Sequence, residues 1–221
     1  MLTSAALSCR RGFMRHGIGS AFRRKARRFA ILAPALLALA AGGCGHSRKW
    51  HNTDIAGSLP TLSFSMVRAD DGKHVTAADY RGKVTLLYFG YTYCPDVCPL
   101  TLSNVAKILK QLGPEGGGVR LLFVTVDPHR DTLPVLKQYT AAFAPQIDGL
   151  RGDADALAAL ARRYRVAYSV DPKGPDGYEV THSSGIYAFD RLGKARLLIS
   201  SLSTATPDLD GTAADLRALL D

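Results

Sequence analysis

Two stretches of the chain are apolar at almost every position: VTLLYF, residues 84–89, and VRLLFVTV, residues 119–126. A strand covered on both faces reads this way, because neither set of alternating side chains meets water. Between them Val105, Ile108, Leu109 and Leu112 recur at helical spacing, and Gly113 stops the helix. Leu133, Leu136 and Phe143 mark a second helix. DADALAALARRY, residues 153–164, is a third, with Asp153 placed to cap its first turn. TLSFSMV, residues 61–67, alternates apolar with polar before a turn at Asp71-Gly72. GIYAFD and KARLLIS, residues 185–190 and 194–200, flank Arg191-Leu192-Gly193 as a hairpin, and a final helix is expected from Pro207 to Leu220.

The order strand, helix, strand, helix, helix, hairpin, helix predicts an α/β protein. A parallel βαβ core extended by an antiparallel hairpin and closed by a terminal helix is a thioredoxin-like layout, a central mixed sheet flanked by helices. The domain is expected over residues 59–221. The preceding stretch, residues 44–58, has no sustained period and reads as a tether.

Charge changes the picture only at the amino terminus. The net charge is +9, yet eight of the 28 basic residues and none of the 19 acidic ones lie in residues 1–43, leaving the remainder at +1. A nearly neutral domain has no electrostatic reason to bind a polyanion, so nucleic acid is not an expected partner. Residues 1–43 read instead as a signal peptide: a basic region ending at Arg28, then the apolar run FAILAPALLALAA, residues 29–41. This run is shorter than the roughly 20 residues of a membrane span. AAGGC then leads into Cys44 in the form of a lipoprotein signal, with Ala41 where leucine is usual. Lipidation at Cys44 is the expectation; plain cleavage and an uncleaved N-terminal anchor are the alternatives. Export places the domain on the periplasmic side of a bacterial membrane, where a disulfide can persist.

Of the four cysteines, Cys9 belongs to the leader and Cys44 is the lipid candidate, so Cys94 and Cys98 are alone in the domain. They fall in YTYCPDVCPLTL, residues 91–102, just after the first central strand. Ligand sites in open α/β sheets lie outside the carboxyl ends of strands. A helix start there offers free N–H groups that favour thiolate, and Pro99 suits a helix start. Such a pair can form a redox disulfide or chelate one soft ion. A purely structural bridge would close a very short loop and stabilise little. Two cysteines rarely saturate a metal, so a third ligand is needed. His46 and His51 lie in the tether, His74 in a turn, His129 in VDPHRDT just past a strand end, and His182 in YEVTHSSGIYAFD, in the loop expected to face the cysteines.

YFGYTYCPDVCPLTLSNV, FVTVDPHRDT and VTHSSGIYAFD, taken in order, resemble the Sco/SenC copper-binding proteins, which assist assembly of cytochrome c oxidase. The similarity spans roughly residues 60–200. It implies a thioredoxin-like fold and a copper site, Cu(I) or Cu(II), made by Cys94, Cys98 and His182. It also implies a supporting role for Asp127, beside the imidazole or the oxidised metal, with Arg130 and Asp131 ordering the loop. His129 departs from the family, which often carries an acidic residue there. The implied function is an exported, membrane-tethered copper chaperone, more a metallochaperone than an enzyme. Its implied partner is the copper-bearing subunit of the oxidase or another periplasmic copper carrier. Chemistry agrees: thiolates are soft and select Cu(I), while imidazole accepts either copper state, and a structural zinc site normally wants four protein ligands.

Thiol–disulfide reduction, of the oxidase's copper-site cysteines or of other exported proteins, is the second expectation. Against a general oxidoreductase stand the three residues between the cysteines and the absence of proline from Thr181-His182-Ser183-Ser184. Peroxidase chemistry fits poorly, because Leu87 and Tyr91 stand where peroxiredoxins carry proline and threonine.

Overall fold

The computed structural model describes residues 48–171 and 179–221. The leader, His46 and the lipid candidate Cys44 lie outside the described residues. Among the described residues, no helix is long and apolar enough to cross a membrane.

The strands are β1 (Thr53–Asp54), β2 (Ser65–Arg68), β3 (His74–Thr76), β4 (Val84–Gly90), β5 (Val119–Thr125), β6 (Ile147–Arg151), β7 (Tyr168–Asp171), β8 (Glu179–His182), β9 (Ile186–Phe189) and β10 (Ala195–Ile199). The helices are α1 (Val97–Leu112), α2 (Leu133–Ala141), α3 (Ala154–Arg163) and α4 (Leu209–Leu220). Eight strands form one mixed sheet in the order β1-β10-β9-β4-β5-β6-β2-β3, and β7 pairs with β8 in a separate hairpin. β4, β5 and β6 are parallel, while β9 joins β4, and β10 joins β9, antiparallel. This is the thioredoxin-like arrangement expected from the order of elements.

The two central strands are apolar at almost every position because helices cover both faces. Leu86, Tyr88, Leu121 and Phe123 pack with Leu102, Val105, Ile108 and Leu109 of α1 and with Ala213, Leu216 and Leu219 of α4. The alternate residues, Leu87, Phe89, Leu122 and Val124, pack with Leu157, Leu160 and Ala161 of α3. The expected cap forms: the Asp153 carboxylate accepts from the Ala156 N–H at 2.8 Å.

Two features differ from the sequence reading. β6, with the sequence IDGLR, was not expected as a strand. Its glycine sits under α2 at close range, since a Cβ at Gly149 would stand 3.2 Å from Leu136 Cβ. The second difference concerns the tether, which is folded from Lys49 onward. β1 pairs antiparallel with β10, Thr53 opposite Leu198, and the Arg196 guanidinium lies 5.6 Å from the Trp50 ring centroid. Asp215 of α4, 3 % exposed, accepts from the N–H of His51 at 3.1 Å, the N–H of Asn52 at 2.8 Å and the Asn52 side-chain amide at 3.0 Å. Polar residues thus dock through one buried carboxylate, a contact that leaves no apolar period in the sequence.

Candidate metal centre

The site is built where β4 ends. A Cβ at Gly90 would lie 2.5 Å from the Phe123 ring and 3.0 Å from Cys98 Sγ, so only glycine lets the sulfur sit directly behind the strand end. The chain then turns, with the Cys94 N–H donating to the Tyr91 carbonyl at 3.3 Å, and α1 begins at Val97. Cys94 precedes the helix and is half-buried; Cys98 lies in its first turn and is fully buried. Both cysteines are free thiols. The Cys98 N–H, one of the amides that a helix start leaves without a partner, donates to Cys94 Sγ at 3.4 Å.

His182 comes from the opposite hairpin. It closes β8, paired with Tyr168 of β7, and the Ser183 N–H bonds the Ala167 carbonyl at 3.0 Å. The imidazole stands edge-on to Tyr91, 5.8 Å between centroids, and to Tyr88 at 6.1 Å. Its Nδ1 lies 3.0 Å from the Ser183 carbonyl oxygen. A carbonyl only accepts, so Nδ1 is the donor in this contact. Nε2 lies 3.2 Å from Cys98 Sγ. The ligand atoms of Cys94, Cys98 and His182 all lie within 4.8 Å of one another.

The two sulfurs share a proton unequally. Cys98 donates to Cys94, and this bond is the largest cause that brings the Cys94 thiol down to about 3. His182 and the Cys98 and Asp96 amides act the same way, while burial opposes them. The Cys98 thiol moves up, first because it bonds the Cys94 sulfur and second because it is buried. The opposite directions of the two shifts put the shared proton on Cys98 and the negative charge on half-buried Cys94. A soft metal ion that took both sulfurs would displace the proton between them.

The remaining sequence candidates fall around this centre or away from it. Asp127 is buried, but its carboxylate pairs with the Arg130 guanidinium and accepts from the Arg130 N–H at 3.4 Å; it is not among the clustered ligand atoms. Asp131, fully buried, accepts from Thr125 Oγ1 at 2.5 Å and from the N–H and Oγ1 of Thr92 at 3.1 and 2.5 Å. Burial raises its carboxyl above the usual range, and these bonds oppose the rise. Asp131 orders the loop as expected. His129 is exposed and, with His74 and Arg151, lines a cavity of about 600 Å³ that includes none of the three clustered residues. His51 lies at the start of α4, its Nδ1 3.9 Å from Asp208. Sequence reasoning missed Thr92 and Tyr93. Their partners lie in the loop after β5, and no local spacing announces such a contact.

Comparison with known proteins agrees with this geometry. The SCO1/SenC family model matches residues 57–220. The mitochondrial SCO2 homologue of Bos taurus is 47 % identical over 113 residues, 50 % of this chain and 42 % of that protein. Protein SenC of Rhodobacter capsulatus is 37 % identical over 122 residues, 55 % of each chain. The chain thus spans about half the length of these curated relatives. Among solved structures, Bradyrhizobium japonicum ScoI with copper bound superposes with a TM-score of 0.64 at 36 % identity, covering 72 % of this chain and 98 % of that one. Yeast Sco1 with copper bound superposes with a TM-score of 0.63 at 31 % identity, covering 72 % and 90 %. With the family model matching most of its length and the fold and cysteine–histidine cluster in place, the chain belongs to the SCO1/SenC family.

Proposed function

We propose that the protein is an exported copper chaperone, tethered to the periplasmic side of a bacterial membrane, that assists copper-site assembly of cytochrome c oxidase. The observation that carries this reading is the cluster of Cys94, Cys98 and His182, two sulfurs and one imidazole nitrogen within 4.8 Å. Two soft donors and one borderline donor match Cu(I), and the nitrogen suits Cu(II) as well. Three protein ligands leave an open side, which a carrier needs if its cargo is to pass to another protein. A receiving protein also needs a surface to grip. Tyr93, Leu100, Val135 and Val170, four of the five exposed large apolar residues among those described, lie in elements at the cysteine end of the sheet or in the His182 hairpin. The copper-bearing subunit of the oxidase, or another copper carrier, is the partner this surface would meet.

The test is anaerobic titration of the reduced protein with Cu(I) against a chelator of known affinity. One equivalent bound per chain is expected, with both thiols then protected from alkylation. Binding no tighter than that of an unfolded control, whose cysteines are no longer held together, would end the copper reading. The tether has its own measurement. Mass analysis of protein extracted from membranes should show a chain beginning at lipidated Cys44. A mature soluble chain with an unmodified Cys44 would remove the lipid anchor.

A thiol–disulfide reductase acting on the oxidase's copper-site cysteines is the second reading. The observation favouring it is the unequal pair: a half-buried thiolate at Cys94 backed by a buried thiol at Cys98 is what disulfide exchange requires of an attacking and a resolving sulfur.

A further inference from the structure

Asp127 is buried in the loop after β5, and its carboxylate pairs with the Arg130 guanidinium. The guanidinium it fixes lies 5.0 Å from the centroid of the Tyr93 ring. That ring is 64 % exposed, and no apolar core holds it. Its defined contact is the planar cation, and cation–π contact at an exposed ring is worth about 0.5–1 kcal/mol. Tyr93 is joined by one peptide bond to Cys94. One residue earlier, Thr92 is bound through both its N–H and its hydroxyl to buried Asp131. Two successive residues before Cys94 are therefore fastened to the same five-residue loop, Asp127–Asp131. On the other side, the Cys94 sulfur is held by the Cys98 amide.

We propose that the Asp127–Asp131 loop is a splint for the Cys94 segment, and that Asp127 acts on the metal centre through Arg130 and Tyr93. Cys98 needs no such support, because it lies in α1 and packs into the core. Cys94 precedes the helix and is only half-buried, so its sulfur would otherwise sample positions away from Cys98 and His182. The splint removes that freedom before the metal arrives, and the ordering is then not charged against binding. Asp127, Arg130 and Tyr93 are positioning residues: Asp127 aims Arg130, Arg130 holds Tyr93, and Tyr93 fixes the backbone of Cys94.

Three variants separate this chain of contacts from a direct role for the carboxylate. Arg130→Lys keeps the positive charge beside Asp127 but removes the flat face that stacks. Tyr93→Leu removes the ring, and Asp127→Asn removes the charge that aims Arg130. In reduced, metal-free protein, iodoacetamide should label Cys94 several-fold faster in each variant than in the wild type, with Cys98 labelling unchanged. That arm does not depend on copper. The copper arm rests on the proposed function: each variant should lose roughly 2- to 5-fold in Cu(I) affinity, the scale set by loss of one contact worth about 0.5–1 kcal/mol. The Arg130→Lys/Tyr93→Leu double variant should be no worse than either single, because the two act in series. The Cu(II) spectrum should stay that of the wild type in all of them. The splint is overturned if Arg130→Lys and Tyr93→Leu match the wild type in both arms. It is equally overturned if Asp127→Asn alone changes the Cu(II) spectrum, which would put the carboxylate on the metal. Faster Cys94 labelling in a protein whose wild type binds no copper would keep the splint and end the copper reading.

Discussion

Replacing Cys94 or Cys98 by serine is expected to abolish tight copper binding, and His182→Ala to weaken it strongly. A serine hydroxyl is a hard, neutral donor where a soft thiolate stood, so the loss should far exceed the roughly 10–100-fold that follows from removing a merely supporting partner. His182→Ala leaves both sulfurs and should bind copper with an altered Cu(II) spectrum, because the nitrogen donor is gone. The metal-free variants should remain folded, with Cys98→Ser the more destabilised, since Cys98 is fully buried in the core and Cys94 packs against it only half-buried. Chelator competition on the reduced proteins, with thermal unfolding as the control, makes the measurement. Wild-type stoichiometry and an unchanged Cu(II) spectrum in His182→Ala would take the imidazole out of the site.

The second large effect separates copper delivery from thiol reduction in cells. A copper ion and a disulfide compete for the same two sulfurs, so cysteine variants cannot distinguish the readings. His182 can. The imidazole is a metal ligand in one reading and dispensable to sulfur exchange in the other. For a chaperone, cells carrying His182→Ala should lose oxidase activity at low copper and recover part of it when copper is added. For a reductase, His182→Ala should support near-normal oxidase while both cysteine variants fail. Oxidase activity at matched protein levels decides, and the second pattern would replace copper delivery by thiol reduction.

The parts of this molecule legible in sequence are those whose side chains repeat a burial pattern. β4 and β5 could be read because both faces are covered, and α1, α3 and α4 because each buries one stripe. β6 could not, because its middle residues include Asp148, which accepts from the Tyr80 hydroxyl at 2.9 Å, and Gly149, which lies close under α2. The β7–β8 hairpin carries His182 on four-residue strands that stand outside the main sheet. The cysteines announced themselves by spacing and by their place after a strand. His182 needed the family resemblance, since nothing local marks a histidine whose neighbours in space are 84 residues earlier. The loop after β5 was read as ordered by Arg130 and Asp131. What it orders could be seen only once Thr92 and Tyr93 stood against it.

The short pairing of β1 with β10 bears on where this domain can safely be cut. β10 would otherwise be the outermost strand, presenting unpaired N–H and C=O groups along a row that includes buried Leu197 and Ile199. Such a row is a template for a strand of another molecule. A chain started at residue 59, where the apolar pattern begins, would lose β1 together with His51 and Asn52. The Asp215 carboxylate would then lose the His51 and Asn52 donors that satisfy it and would have to replace them with water. The same cut would open the β10 edge. Self-association of so shortened a domain would come from an uncovered strand, and it would say nothing about how the intact protein assembles.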